Sequence, residues 1–143
     1  MEVPKNNHKL SFFNDEEKLV FNSKHLLLEL YGCDCEKLND ESFLRCTLNN
    51  ASKLANATIL DLMSYKFEPQ GVTAIALLAE SHLSIHTWPE SNYSAVDIFT
   101  CGQNMKPDAA CKYLIEVLRA EEHFLRIINR NPPIMLKNQI RTT

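Results

Sequence analysis

Residues Val72–Cys101 read VTAIALLAESHLSIHTWPESNYSAVDIFTC. Three β-like runs follow one another here, Val72–Ala79, His82–Trp88 and Tyr93–Cys101, separated only by Glu80–Ser81 and Pro89–Asn92. The second run either continues the first or meets it at a tight corner. On an extended strand the side chains alternate, so His82, Ser84, His86 and Trp88 share one face and Leu83, Ile85 and Thr87 the other. One face is polar and the other apolar, as expected of a solvated sheet face or a site.

Working outward, Lys24–Tyr31 (KHLLLELY) is a short apolar run closed by Gly32, and it reads as a buried strand. Glu36–Asp40 reads as a loop, after which Asn39 or Asp40 caps a helix running to about Asn56. Leu44, Leu48, Ala51 and Ala55 fall on one stripe of that helix and face a sheet. Thr58–Phe67 is apolar and β-prone, and Pro69-Gln70-Gly71 signals a turn. Pro107 opens a second helix to about Glu122, with Ala110, Leu114, Val117 and Leu118 inward. Phe124–Asn129 reads as a last strand, and Asn131-Pro132-Pro133 ends regular structure before a tail. Residues 1–22 read as an arm with a short helix near Asp15–Val20. Repeated β-runs flanked by single helices predict an α+β two-layer sandwich: a mainly antiparallel sheet with helices on one face.

Composition sets the bounds. A chain of 143 residues is one domain by length. With 45% hydrophobic and 23% charged residues it can build a core, and it does not have the composition of a disordered chain. A net charge of −3 gives no electrostatic footprint for nucleic acid or an anionic membrane. No apolar run approaches the length of a membrane-spanning helix. The start of the chain has no apolar core of a secretory signal, so the five cysteines are expected to stay reduced in the cytoplasm.

Reactive residue types concentrate in Glu80–Glu90 (ESHLSIHTWPE) and Phe99–Gly102 (FTCG). A metal is disfavoured. His82 and His86 on one strand stand roughly 13 Å apart, too far to share an ion. Cys33-Asp34-Cys35 has the wrong spacing and no second pair. Cys101 and His86 sit on adjacent expected strands and can meet as a thiol–imidazole couple. A Ser-His-Asp reading would use Ser81 or Ser84, His86 and Asp97, but it lacks a nucleophile elbow. Glycine-rich phosphate loops are absent.

ESHLSIHTWPE followed by VDIFTCG closely resembles the self-processing, pyruvoyl-dependent S-adenosylmethionine decarboxylases of the bacterial and archaeal type. KHLLLELYGCD is similar to that family's opening strand and FEPQGVTA to its segment before the cleavage site, so the resemblance runs from about Lys24 to Ile128. It implies a proenzyme cut between Glu80 and Ser81 into a β chain, residues 1–80, and an α chain, residues 81–143. The Ser81 hydroxyl would attack the preceding carbonyl, turning an amide into an ester. Loss of the Ser81 α-proton to His86 would then eliminate the ester, and the resulting dehydroalanine would hydrolyse to an N-terminal pyruvoyl group. The position of Thr73 matches a hydroxyl that assists cleavage. The pyruvoyl ketone would form a Schiff base with the substrate amine and withdraw electrons as carbon dioxide leaves.

By the same resemblance Cys101 matches the proton donor. An ordinary thiol ionises near pH ~8.5 and so carries its proton at neutral pH. Phe67 matches the aromatic that stacks adenine, Glu90 the carboxylate that holds the ribose hydroxyls, and Trp88 lines the pocket, where a sulfonium suits aromatic faces. Cys33, Cys35, Cys46 and Cys111 match no role and are expected to be buried, inert thiols. The implied assembly is a homodimer packed through the helix-free sheet faces, with the active sites near the interface. The implied product is the aminopropyl donor for spermidine. Two rival readings are an arginine or ornithine decarboxylase of the same family and an unprocessed, non-catalytic homologue acting as a regulatory subunit. Retained Phe67 and Glu90 weigh against the first, and intact Ser81, His86 and Cys101 against the second.

Overall fold

The computed structural model describes residues 23–130 and, of the flanking segments, Lys18–Leu19 and Met135–Leu136. In chain order the elements are β1 (Lys18–Leu19), β2 (Ser23–Tyr31), α1 (Cys35–Leu38), α2 (Glu41–Leu54), β3 (Ile59–Lys66), β4 (Val72–Leu78), β5 (His82–Trp88), a 3₁₀ turn (Pro89–Ser91), β6 (Tyr93–Cys101), α3 (Pro107–Val117), β7 (Glu122–Arg130) and β8 (Met135–Leu136). The main sheet has six strands in the order β3-β4-β5-β6-β2-β7, and every neighbouring pair is antiparallel. The architecture is the expected α+β two-layer sandwich. The tight corner holds rather than a continuous strand: β4 and β5 form a hairpin, with Leu77 opposite His82.

Alternation divides the sheet into two unlike faces. Leu26, Leu28, Leu30, Val72, Ala74, Ala76, Leu83, Ile85, Val96 and Ile98 point to the helix layer and are buried. They meet Leu44, Leu48, Ala51 and Ala55 of the α2 stripe and Ala110, Leu114 and Leu118 of α3. Each fully buried leucine contributes about 2 kcal/mol of transfer free energy, and this layer holds the fold. Asp40 caps α2 by accepting from the Phe43 N–H at 3.0 Å. Arg45 ties α2 to the edge strand, donating to the Ser64 hydroxyl at 2.8 Å and the Leu62 carbonyl at 3.2 Å.

Four expectations are corrected. Glu36–Asp40 is not all loop. Asp34 accepts from the N–H groups of Glu36 and Lys37 at 3.0 and 3.3 Å and starts the single turn α1, which buries Leu38. The helix from Pro107 stops at Val117, not Glu122, because Arg119 turns left-handed at φ 54° and releases Glu122 into β7; Val117 itself is only partly buried. Within Asp15–Val20, Lys18–Leu19 are extended rather than helical, and the rest of that segment lies outside the described residues. They pair with Met135–Leu136, where the sequence predicts a tail. Ser23 and Arg130 are paired neighbours, so both chain ends leave the main sheet side by side, where a second short ladder can form.

Candidate active site

The face turned away from the helices carries the candidate residues at two separate ends. The first end is the β4–β5 hairpin. The Leu78 N–H donates to the Ser81 carbonyl and the Ala79 N–H to the Thr58 carbonyl, both at 2.9 Å. The Glu80 carboxylate accepts from the Thr58 N–H at 3.1 and 3.3 Å. The backbone on both sides of Glu80–Ser81 is thereby tied down while the bond itself lies in a turn. His82 stands opposite Phe99, and continuing that register sets Glu80–Ser81 level with Thr100–Cys101. The Cys101 sulfur accepts a hydrogen bond from the Ser23 hydroxyl at 3.3 Å.

Beside them the rings of His25, His82 and Phe99 meet with centroids 5.6–6.1 Å apart. His25 Nε2 lies 3.8 Å from Asp97 Oδ2. Burial and the neighbouring His25 hold the His82 imidazole below its usual range, with Asp97 partly opposing.

At the second end, Thr73 and His86 face each other across β4 and β5, with Thr73 Oγ1 and His86 Nδ1 hydrogen-bonded at 2.9 Å. This bond fixes the ring. In the tautomer in which Nδ1–H donates to the hydroxyl, Nε2 carries the ring's lone pair. Trp88 lies next along the face, 6.4 Å from His86 between centroids, and stacks on Tyr93 at 5.2 Å. Glu90 is exposed in the 3₁₀ turn. Phe67 packs edge-on to Tyr65 and is 46% exposed, so it is free to stack and is not a core aromatic.

The two ends do not touch within one chain. His86 pairs with Ala95, six residues before Cys101. That is about 20 Å of strand, and His86 is about 17 Å from Ser81 by the same measure. The expected Cys101–His86 couple is therefore not formed inside a protomer, although the strands are adjacent. The Ser-His-Asp set is not assembled either: His86 bonds Thr73, and Asp97 lies against His25. Among the other thiols, burial pushes Cys33 and Cys111 up to about 11, Asp108 adding to the effect at Cys111, which suits inert core residues. Cys35 and Cys46 are exposed, against the expectation that they are buried. Ser23, His25 and the Tyr31–Tyr93–Trp88 stack were not singled out from the sequence. Ser23 and His25 lie on the open face by alternation along β2, a signal that becomes usable only once the β2–β6 register is known.

The described face thus carries the β4–β5 turn and Cys101 at one end, and His86 with its Thr73 and Trp88 neighbours at the other. The crystal structure of the adenosylmethionine decarboxylase from Aquifex aeolicus VF5 matches with a TM-score of 0.73 at 34% identity, covering 87% of this chain and all of that one. The family model for S-adenosylmethionine decarboxylase matches residues 24–131. An S-adenosylmethionine decarboxylase proenzyme of Prochlorococcus marinus strain MIT 9211 is 54% identical over 82% of this chain and 96% of its own length. One of Methanococcus maripaludis is 44% identical over 75% and 88%. The chain belongs to the S-adenosylmethionine decarboxylase family.

Proposed function

We propose that this chain is a proenzyme that cleaves itself between Glu80 and Ser81 and then decarboxylates S-adenosylmethionine through the pyruvoyl group derived from Ser81. The observation that carries the reading is the Glu80–Ser81 bond, half-buried in the turn between β4 and β5, with its flanks pinned and the register of β5 with β6 running toward Cys101. Cleavage divides the domain into residues 1–80 and 81–143. The Ser81 hydroxyl attacks the Glu80 carbonyl carbon, and the amide becomes an ester. His86, oriented by Thr73, removes the Ser81 α-proton and the ester C–O bond breaks, releasing the Glu80 carboxylate; the dehydroalanine left at residue 81 tautomerises and is hydrolysed by water, losing ammonia, to pyruvoyl.

The residues fit the group: Ser81 lies in the turn that leads into β5, so cleavage there leaves it as a new N-terminus at the end of the sheet that also carries Cys101. When formed, the pyruvoyl group supplies an electron sink for the charge left by carbon dioxide. The protein's own residues hold the substrate and move protons. Cys101 delivers a proton to the carbon that lost carbon dioxide. Phe67 offers a free ring for adenine, Glu90 a carboxylate for the ribose hydroxyls, and Trp88 an aromatic face for the sulfonium.

The separation within the protomer calls for a second copy. The open face exposes Met63, Tyr65, Ile75, Leu77, Trp88, Phe124 and Ile128, a patch of the kind that marks an association surface. Two copies packed through this face about a two-fold axis lying across the strands lay the Ser81–Cys101 end of one on the Thr73–His86 end of the other. Each site then takes its nucleophile and proton donor from one chain, and its base and substrate pocket from the partner. No helix among the described residues is long and apolar enough to cross a membrane; the cytoplasm, where the thiol stays reduced, is the proposed compartment.

Intact mass measures this directly. Purified protein should separate under denaturing conditions into fragments of roughly 9 and 7 kDa from the 16.4 kDa chain, the smaller lacking a free amino terminus. It should release carbon dioxide from S-adenosylmethionine but not from arginine or ornithine. A single 16.4 kDa species after long incubation contradicts the reading.

A further inference from the structure

We infer that Ser23 is a positioning residue for the Cys101 thiol: its hydroxyl donates to the sulfur and steers the thiol's own proton toward the substrate carbon. The inference rests on the decarboxylase reading, in which Cys101 is the donor, and adds a residue that carries no part in it so far.

The geometry is specific. Ser23 opens β2 directly opposite Cys101 at the end of β6, and Ser23 Oγ donates to Cys101 Sγ at 3.3 Å. Ser23 is only 3% exposed, so water does not compete freely for this hydroxyl. A thiol carries one proton. With a lone pair on sulfur already occupied by the Ser23 hydrogen, the S–H bond is left free to point elsewhere, and the open face is the side from which substrate arrives. Once the proton has gone to carbon, the sulfur is a thiolate. The same hydroxyl then holds it by a charge-assisted bond until water returns a proton.

The surroundings agree. Arg130, which pairs with Ser23 on β7, lays its guanidinium 5.3 Å over the Phe99 ring, two residues from Cys101 on the same face. Of the other titratable groups on this end, Asp97 lies 3.8 Å from His25 without a hydrogen bond between them, and His82 is held toward its neutral form by burial and His25.

The test compares wild type with Ser23→Ala and Ser23→Thr, each as the full processed protein. Without turnover, the reaction of Cys101 with iodoacetamide near neutral pH is followed by the mass of the peptide that carries it. A hydrogen bond to a charged group changes an equilibrium by about tenfold or more. Ser23→Ala should therefore hold about tenfold less thiolate and alkylate a few-fold more slowly, the loss of thiolate outrunning the gain in intrinsic nucleophilicity.

With S-adenosylmethionine, Ser23→Ala should lose about tenfold in kcat with KM little changed. More of its α chain should end as N-terminal alanine, the product of protonation at the wrong carbon. Ser23→Thr, which keeps the hydroxyl on a residue suited to a strand, should restore all three values. Wild-type alkylation and an unchanged alanine fraction in Ser23→Ala overturn the inference, as does a loss that Ser23→Thr fails to rescue. Wild type that releases no carbon dioxide overturns the decarboxylase reading instead, and the alkylation comparison still tests Ser23.

Discussion

The two faces of the sheet are built from overlapping residue types put to opposite use. Toward the helices, Thr87 is buried and fully engaged: its hydroxyl donates to the Leu38 carbonyl at 2.7 Å and accepts from the Val72 N–H at 2.9 Å. Cys33 and Cys111 are sealed among leucines with their thiols pushed up to about 11. On the other face, Thr73 spends its hydroxyl on an exposed imidazole, and the half-buried Cys101 sulfur accepts from the Ser23 hydroxyl. Depth separates these roles more than residue identity does. A polar group with every bond satisfied in the core stabilises the fold, and the same group on the open face keeps a lone pair or a proton to give.

That contrast predicts two classes of variant. Ser81→Ala should abolish cleavage and decarboxylation together, with the thermal midpoint nearly unchanged, as intact mass and calorimetry would show. Leu114→Ala, on the buried face of α3, should do the reverse, costing about 2–5 kcal/mol in denaturant unfolding while any protein that folds still cleaves. His86→Ala should stall at the ester, and hydroxylamine should then cut the chain to leave an α fragment beginning at Ser81. Formation of pyruvoyl at the normal rate in His86→Ala would remove the imidazole from this role.

A smaller effect is expected from Cys101→Ala. It should process at least in part but lose about 10²–10⁴-fold in turnover, the usual worth of a placed general acid, with alanine accumulating at the α-chain terminus. The smallest effect belongs to the buried thiols. Unfolded, Cys33 and Cys111 ionise near 9.0, whereas folded they hold their protons to about 11. The unfolded chain thus binds fewer protons between pH 9 and 11, and stability falls as pH rises through that window, by on the order of 2 kcal/mol per thiol at its top. Denaturant titrations of Cys111→Ala should show a shallower alkaline decline than wild type. An identical decline would mean that this thiol is not sealed off.

Much of the architecture was legible in the sequence because burial alternates. The apolar run Lys24–Tyr31 announces a buried strand, and the stripe Leu44, Leu48, Ala51, Ala55 carries the covered face of α2. The one-turn helix at Cys35–Leu38 is too short to show a period, and the stop at Arg119 uses a left-handed arginine where a glycine would have announced it. Of the candidate site, the residue types were legible from ESHLSIHTWPE and FTCG, but their spacing across the sheet was not. Adjacency of β5 and β6 suggested a Cys101–His86 couple, whereas the register puts His86 opposite Ala95. Strand order can be inferred from local pattern. Register depends on turn geometry and on partners remote in sequence, and one such partner, Ser23, lies 78 residues from the thiol it touches.

The central claim is that the open face carries two half-sites, each completed by a second copy. Co-expression of a Ser81→Ala chain with a His86→Ala chain tests it most directly. In a mixed dimer, one of the two sites brings an intact Ser81 from the His86→Ala chain together with an intact His86 from the Ser81→Ala chain. The account predicts that the His86→Ala chain, inert to pyruvoyl formation by itself, is cleaved and gains a pyruvoyl terminus in the mixture, and that carbon dioxide release returns. If both chains stay unprocessed in verified mixed dimers, His86 serves the Ser81 of its own chain and the two-half-site account is wrong.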